Sequence, residues 1–126
     1  MSFRTPIARA RGLGSAKDGT AHWWAQRVTA LALIPLTLWF AISVIGLVGG
    51  GHEAVVAWLS SPVAAGLMIL LIATTFHHAQ LGIQVVIEDY VHNEPVKIGA
   101  IILVKFVAVV LGLAGILAVL AIAFGG

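Results

Sequence analysis

Two adjacent histidines, His77 and His78, lie within a long apolar run of the chain, and an Asp89–Tyr90 pair follows at the end of that run. An ionisable side chain in a hydrocarbon layer costs roughly 2.5 kcal/mol or more, so such a residue usually has a partner or a function. An imidazole nitrogen held inside a membrane is a good ligand for haem iron. A phenol can donate a hydrogen bond to a quinone carbonyl, and a neighbouring carboxylate can orient it or move a proton.

Helical spacing relates these residues to one another. Asp89 follows His78 by eleven residues, so the two fall within about 20° on one helix face, with an axial rise of about 16 Å. If Asp89 marks the membrane boundary, His78 lies near the bilayer midplane. His77 points about 100° away, so the two histidines cannot bind the same iron. Gly82, one turn from His78, is expected to leave space for a flat macrocycle.

Both assignments have a structural alternative. His78 could instead be a structural histidine that is hydrogen-bonded to a neighbouring helix. The other histidines, His22, His52 and His92, lie in loops or at helix ends, so a second iron ligand would have to come from another protein. Asp89 and Tyr90 could be a solvated acid and an interfacial anchor, since tyrosine is common at membrane interfaces.

The composition places most of the chain in lipid. Its 126 residues are 60% hydrophobic and 10% charged, with a mean hydropathy of +1.06, whereas soluble domains carry about 25% charged residues. A soluble fold of this length could not bury so much apolar surface. The absence of cysteine excludes disulfides, iron–sulfur ligation and thiol catalysis. No nucleic-acid partner is predicted.

Three apolar runs predict an all-α membrane protein with spans at about 28–48, 63–87 and 98–124, because about 20 apolar residues cross the hydrocarbon layer. Pro35 lies inside the first span, where membrane helices tolerate it. Ser60, Ser61 and Pro62 are typical of a helix start. Four small residues of the third span either allow close helix approach or reflect ordinary membrane-helix composition; they are Ala108, Gly112, Gly115 and Ala118.

Charge placement predicts the topology. Basic residues precede the first span, the segment 49–62 has no Lys or Arg, and Lys97 follows the second span. The positive-inside rule therefore places the N-terminus in the cytoplasm and the C-terminus in the periplasm. Residues 1–22 are interpreted as a cytoplasmic tail, in preference to a transit peptide, and 23–126 as the membrane anchor. Trp23 and Trp24 are expected at the cytoplasmic interface and Trp58 at the opposite one.

Two basic residues near the spans leave their roles open. Arg27 could pair with a haem propionate, which Arg binds well, or be an ordinary cytoplasmic-side charge. Lys105, in the third span, is expected to extend to the cytoplasmic interface or to pair with an acid of a partner.

Two segments resemble the hydrophobic membrane anchor subunits of succinate dehydrogenase, respiratory complex II, most closely those of alphaproteobacteria. One is residues 19–30 with 36–39 after it, and the other is residues 78–92. In the second segment the family pattern is a His, a Gly four residues on, a Gln two further and then Asp-Tyr. His78, Gly82, Gln84, Asp89 and Tyr90 match it.

The resemblance implies a function for the matched residues. His78 would be an axial ligand of haem b, with the second ligand from a cytochrome b subunit. Tyr90, with Asp89 beside it, would contact ubiquinone. Arg27 matches an arginine near the haem propionates, and His22 matches less securely, because its spacing to the arginine differs.

The resemblance also implies partners and a location. Iron–sulfur and flavoprotein subunits would complete a complex of the bacterial inner membrane, which passes electrons from succinate to ubiquinone in the tricarboxylic acid cycle and respiratory chain. No catalysis is expected from this chain alone. Two alternatives remain: a subunit of another b-type membrane cytochrome, although those usually carry paired histidines on more spans, and a non-redox small membrane protein.

Overall fold

The chain forms four helices in a computed structural model that describes residues 15–125. They are α1 (Ser15–Leu47), α2 (Gly51–Leu59), α3 (Pro62–Tyr90) and α4 (Glu94–Gly125), and no strand occurs between residues 15 and 125. The prediction of an all-α protein is confirmed. Residues 1–14, most of the predicted tail, lie outside the described part.

Three of the helices are long and apolar enough to cross a membrane. The three segments are Thr20–Leu47, Pro62–Tyr90 and Glu94–Gly125, which confirms the three predicted spans. The helix α1 begins well before its predicted span and ends one residue short of it, whereas α3 and α4 extend beyond theirs at both ends, because helical hydrogen bonding continues past the apolar stretch into the polar flank. Pro35 does not end α1, as expected. Asp89 and Tyr90 consequently belong to the last turn of α3.

Polar residues start the second and third spans. At the start of α3, Ala64 N donates to Ser61 Oγ at 3.5 Å and Pro62 takes the first helical position, as the sequence predicts. At the start of α4, Val96 N donates to Asn93 Oδ1 at 3.2 Å. These caps satisfy amide groups that have no partner within the helix.

The connection between the first two spans is itself helical. The sequence predicts a loop at 49–62, but α2 occupies most of it. Gly49 and Gly51 adopt positive φ angles of 85° and 67°, which glycine tolerates and which reverse the chain between α1 and α2. The indole rings of Trp39 and Trp58 stack at 5.5 Å and tie α2 to α1.

The long helices pack in a row with α3 in the middle. Both α1 and α4 contact α3, but between residues 15 and 125 they do not contact each other. A Cβ added at Gly112 would lie 3.7 Å from the Phe76 ring, and one at Gly115 would lie 3.2 Å from Ile72 Cγ2. Of the two alternatives for the small residues of α4, close helix approach is observed at Gly115, whereas the Gly112 contact is of ordinary length.

The buried core is small and lies at the end of the molecule where α2 packs. Leu59, Ala65 and Val119 form its centre. Elsewhere most large apolar side chains are exposed, including Ile45 on α1 and Val48 just after it, which are 73% and 79% exposed. Such a surface suits contact with acyl chains or with apolar helices of another subunit.

Candidate functional site

His78 faces the first span. It lies half-buried on α3, and its Nδ1 is 3.0 Å from Oγ1 of Thr29 on α1. The structure therefore contains the interhelical hydrogen bond that a structural histidine would make. That bond uses one ring nitrogen only.

The second nitrogen, Nε2, has no hydrogen-bond partner among the described residues. A metal-binding histidine commonly has this arrangement, with one ring nitrogen in a hydrogen bond that fixes the ring and the other available to the metal. The two interpretations of His78 are thus compatible. No group of three or more potential metal-ligating side chains occurs within the described part of the chain.

His77 lies on a different side of α3. It is exposed and lines a groove of about 300 Å³ between α3 and α4, together with Gln80 and Lys105. The prediction that the two histidines cannot serve one iron is consistent with this placement, since His78 faces α1. Lys105 forms no ion pair within residues 20–125, and it borders the groove beside His77.

The side chain nearest to Gly82 comes from α1. A Cβ added at Gly82 would lie 3.6 Å from Nε2 of Gln26 on α1. The Gln26 side chain thus borders Gly82 on the α1 side, and the expectation that this glycine leaves space for a macrocycle stays a prediction.

Among the described residues, two buried side-chain atoms of α1 have no hydrogen-bond partner. They are His22 Nε2 and Gln26 Oε1. An unsatisfied buried polar group costs about 1–3 kcal/mol, so each position favours an additional polar ligand. His22, Gln26 and Thr29 have the i, i+4, i+7 spacing of a single helix face.

Arg27 occupies another side of α1. It is exposed, and its guanidinium carbon lies 5.2 Å from the centroid of the Trp23 ring, a cation–π contact. Its helical position is about 200° from that of Thr29. Within this chain the structure does not bring Arg27 to the Thr29–His78 contact.

Asp89 and Tyr90 are exposed at the end of α3. The Tyr90 side chain is 77% exposed, and neither residue has a side-chain hydrogen bond within residues 20–125. Asp89 keeps the predicted angular relation to His78, because α3 is one continuous helix between them. Both side chains are accessible to a ligand or to another subunit.

The remaining polar side chains of α3 bond to one another along the helix. Gln80 Nε2 donates to Gln84 Oε1 at 3.0 Å, and Gln84 Nε2 donates to Glu88 Oε1 at 2.9 Å. Gln80 is buried. This i, i+4 chain runs from the middle of the span to its end and partly satisfies polar groups that would otherwise face hydrocarbon.

Sequence reasoning did not identify Thr29 and Gln26 as site residues. A signal was present, because the polar residues His22, Gln26 and Thr29 recur at helical spacing where α1 enters its apolar run. Their side chains are ordinary by type, and only the packing of α1 on α3 places them beside His78 and Gly82.

Comparisons with known proteins point to one family. Residues 1–112 match the family described as succinate dehydrogenase/fumarate reductase transmembrane subunit. A succinate dehydrogenase hydrophobic membrane anchor subunit of Rickettsia bellii is 34% identical over 117 residues, which cover 93% of this chain and 94% of the relative. The subunit of the same name from Paracoccus denitrificans is 36% identical over 106 residues, covering 84% and 82%.

A third relative is the succinate dehydrogenase membrane anchor subunit of Reclinomonas americana. It is 31% identical over 96 residues, which cover 74% of this chain and 80% of the relative. No solved structure matches the chain significantly. The matched segments include His22, His78 and Tyr90 within the family's extent.

Proposed function

Because this chain belongs to the family of succinate dehydrogenase/fumarate reductase transmembrane subunits, we propose that it binds haem b jointly with a cytochrome b subunit and contributes to a ubiquinone site. The chain is a multi-pass protein of the bacterial inner membrane and a membrane anchor subunit of succinate dehydrogenase. The family and its relatives favour this function over another b-type cytochrome or a non-redox membrane protein.

The haem proposal rests on the hydrogen bonding of the two ring nitrogens of His78. One nitrogen is held by Thr29 at 3.0 Å, and the other has no partner among the described residues. This donor fits an iron porphyrin: His78 would hold the iron through Nε2, and a second membrane subunit would supply a further ligand. Bound haem would supply one-electron storage within the membrane.

His22 and Arg27 are proposed as the propionate contacts. The unpartnered, buried Nε2 of His22 supports a role in which it donates to an anionic oxygen. Arg27 is exposed on α1, where its guanidinium lies against the Trp23 ring, and in the assembled complex it could turn from that ring toward a carboxylate. The two residues lie on different sides of α1 and would meet the propionates from different directions.

Tyr90 and Asp89 are proposed for the quinone. The exposed phenol of Tyr90 can donate a hydrogen bond to a quinone carbonyl, and the Asp89 carboxylate next to it can orient the phenol or accept a proton. Their position at the end of α3 would place them near the membrane surface, where an iron–sulfur subunit could deliver electrons. The flavoprotein subunit would complete the complex.

The haem proposal is tested by comparing His78→Ala with His77→Ala in the purified complex. These neighbouring histidines face different parts of the structure, so the second variant controls for loss of an imidazole at this depth. We expect His78→Ala to lose or shift the haem absorbance in a reduced-minus-oxidised spectrum, and His77→Ala to retain it. An unchanged spectrum in His78→Ala would remove His78 as the ligand. Copurification of a flavoprotein tests the assignment to complex II separately.

A further inference from the structure

The hydroxyl of Thr29 has three close polar neighbours. Its Oγ1 lies 2.7 Å from the carbonyl oxygen of Ala25, 3.1 Å from that of Gln26 and 3.0 Å from His78 Nδ1. A threonine hydroxyl carries a single proton and two lone pairs. The hydroxyl can therefore donate a hydrogen bond in one direction only, and any other hydrogen bond to this oxygen must be accepted by a lone pair.

The two carbonyl oxygens determine where that proton lies. Both can only accept, and the Ala25 distance of 2.7 Å is typical of a strong O–H···O bond. If the hydroxyl instead donated to His78, two oxygen acceptors would face each other at 2.7 Å with no hydrogen between them. Threonine commonly bonds the carbonyl four residues back in this way. The lone pairs of Thr29 Oγ1 therefore face His78.

We propose that Thr29 is a positioning residue that holds His78 in the tautomer with the proton on Nδ1. His78 Nδ1–H donates to Thr29 Oγ1, which leaves Nε2 without a proton and with its lone pair available to iron. The proposal rests on the proposed function of His78 as a haem ligand. It adds a role for Thr29 on α1: this residue determines which ring nitrogen of His78 binds the iron, and it fixes the orientation of the ring.

This hydrogen bond has an electronic consequence for bound haem. A ring that donates from Nδ1 is a more basic ligand through Nε2, and a more basic ligand favours ferric iron. Loss of the acceptor should raise the midpoint potential of the haem. It also leaves an N–H group unsatisfied inside the membrane, which favours the other tautomer or a rotated ring.

The test compares three variants of the purified complex. Thr29→Val replaces the hydroxyl with a methyl group of similar size, whereas Thr29→Ser retains the hydroxyl. Thr37→Val is a matched control on the same helix, since within residues 20–125 the Thr37 hydroxyl bonds only the carbonyls of Leu33 and Ile34, at 2.6 and 3.2 Å. Haem per flavoprotein and the midpoint potential, from a redox titration of the haem absorbance, are measured for each.

We expect Thr29→Val to raise the midpoint potential and to weaken haem binding by about 10- to 100-fold, as is usual when the hydrogen-bond partner of a metal ligand is removed. Thr29→Ser and Thr37→Val should match the unmodified complex. If Thr29→Val does not assemble, Thr29→Ala removes the same hydroxyl without adding volume, and the same two quantities are measured.

The outcomes separate this inference from the proposed function. Unchanged haem content and potential in Thr29→Val, with haem lost in His78→Ala, would overturn the role of Thr29 and leave the ligand assignment in place. Haem retained in His78→Ala would overturn both. An equal effect of Thr37→Val would also overturn the role of Thr29, because the Thr37 hydroxyl makes its hydrogen bonds to Leu33 and Ile34 and not to His78.

Discussion

The individual polar residues of α3 have distinct surroundings although they are close in sequence. His78 contacts α1, His77 borders the groove toward α4, and Gln80 is buried and bonds along its own helix. Each step of 100° on a helix changes the neighbour. A functional assignment on this helix therefore applies to one residue at a time, and single substitutions can separate the roles.

Tyr90→Phe removes one hydroxyl and retains the ring. The side chain is 77% exposed and makes no hydrogen bond within residues 20–125, so the change should not alter the packing of this chain. Loss of one neutral hydrogen bond to a quinone, about 0.5–1.5 kcal/mol, should lower quinone reductase activity by about 2- to 12-fold. Succinate oxidation with an artificial electron acceptor should persist. Equal loss of both activities would indicate misassembly and contradict a role at the quinone.

The helices were predictable to different degrees. Three apolar runs predict the three spans. The start of α3 at Ser61 and Pro62 could also be predicted, because a helix cap depends only on residues that are close in sequence. The short helix α2 was missed, since glycines usually follow a helix end and here Gly51 also begins the next helix. Which face of α1 meets α3 could not be predicted, because the pairing of Thr29 with His78 depends on the register of two helices distant in sequence.

Close approach of α4 to α3 depends on Gly115. A Cβ at this position would lie 3.2 Å from Ile72 Cγ2, so Gly115→Val should force the helices apart and lower the stability by about 1–3 kcal/mol. Gly99→Val is the matched control on the same helix, because no heavy atom lies within 4 Å of an added Cβ there. Thermal unfolding of the purified complex measures both variants. A larger loss in Gly99→Val than in Gly115→Val would contradict the importance of this contact.

At the scale of the whole molecule, the row of helices explains why the subunit needs partners. With α1 and α4 on separate sides of α3, most large apolar side chains remain exposed, and the buried ones are the small cluster near α2 and a few separate residues such as Leu36, Leu71 and Leu81. As the proposed haem ligand, His78 would offer iron one nitrogen, and no group of three or more potential metal-ligating side chains occurs in the described part of the chain. A second membrane subunit can supply both the missing ligand and the helices that cover the exposed surface.

The orientation of the molecule in the membrane remains a prediction from charge placement, and the cysteine-free sequence allows a direct test. His52, on α2, and His92, between α3 and α4, are both exposed and lie at opposite ends of the second span. With the N-terminus in the cytoplasm, a membrane-impermeant maleimide should label His52→Cys in intact cells, because α2 then faces the periplasm. It should label His92→Cys only after the inner membrane is permeabilised, and permeabilised cells serve as the control that both sites react.

Labelling of His92→Cys but not of His52→Cys in intact cells would reverse the topology. The proposed quinone residues Asp89 and Tyr90, at the same end of α3 as His92, would then lie on the periplasmic side.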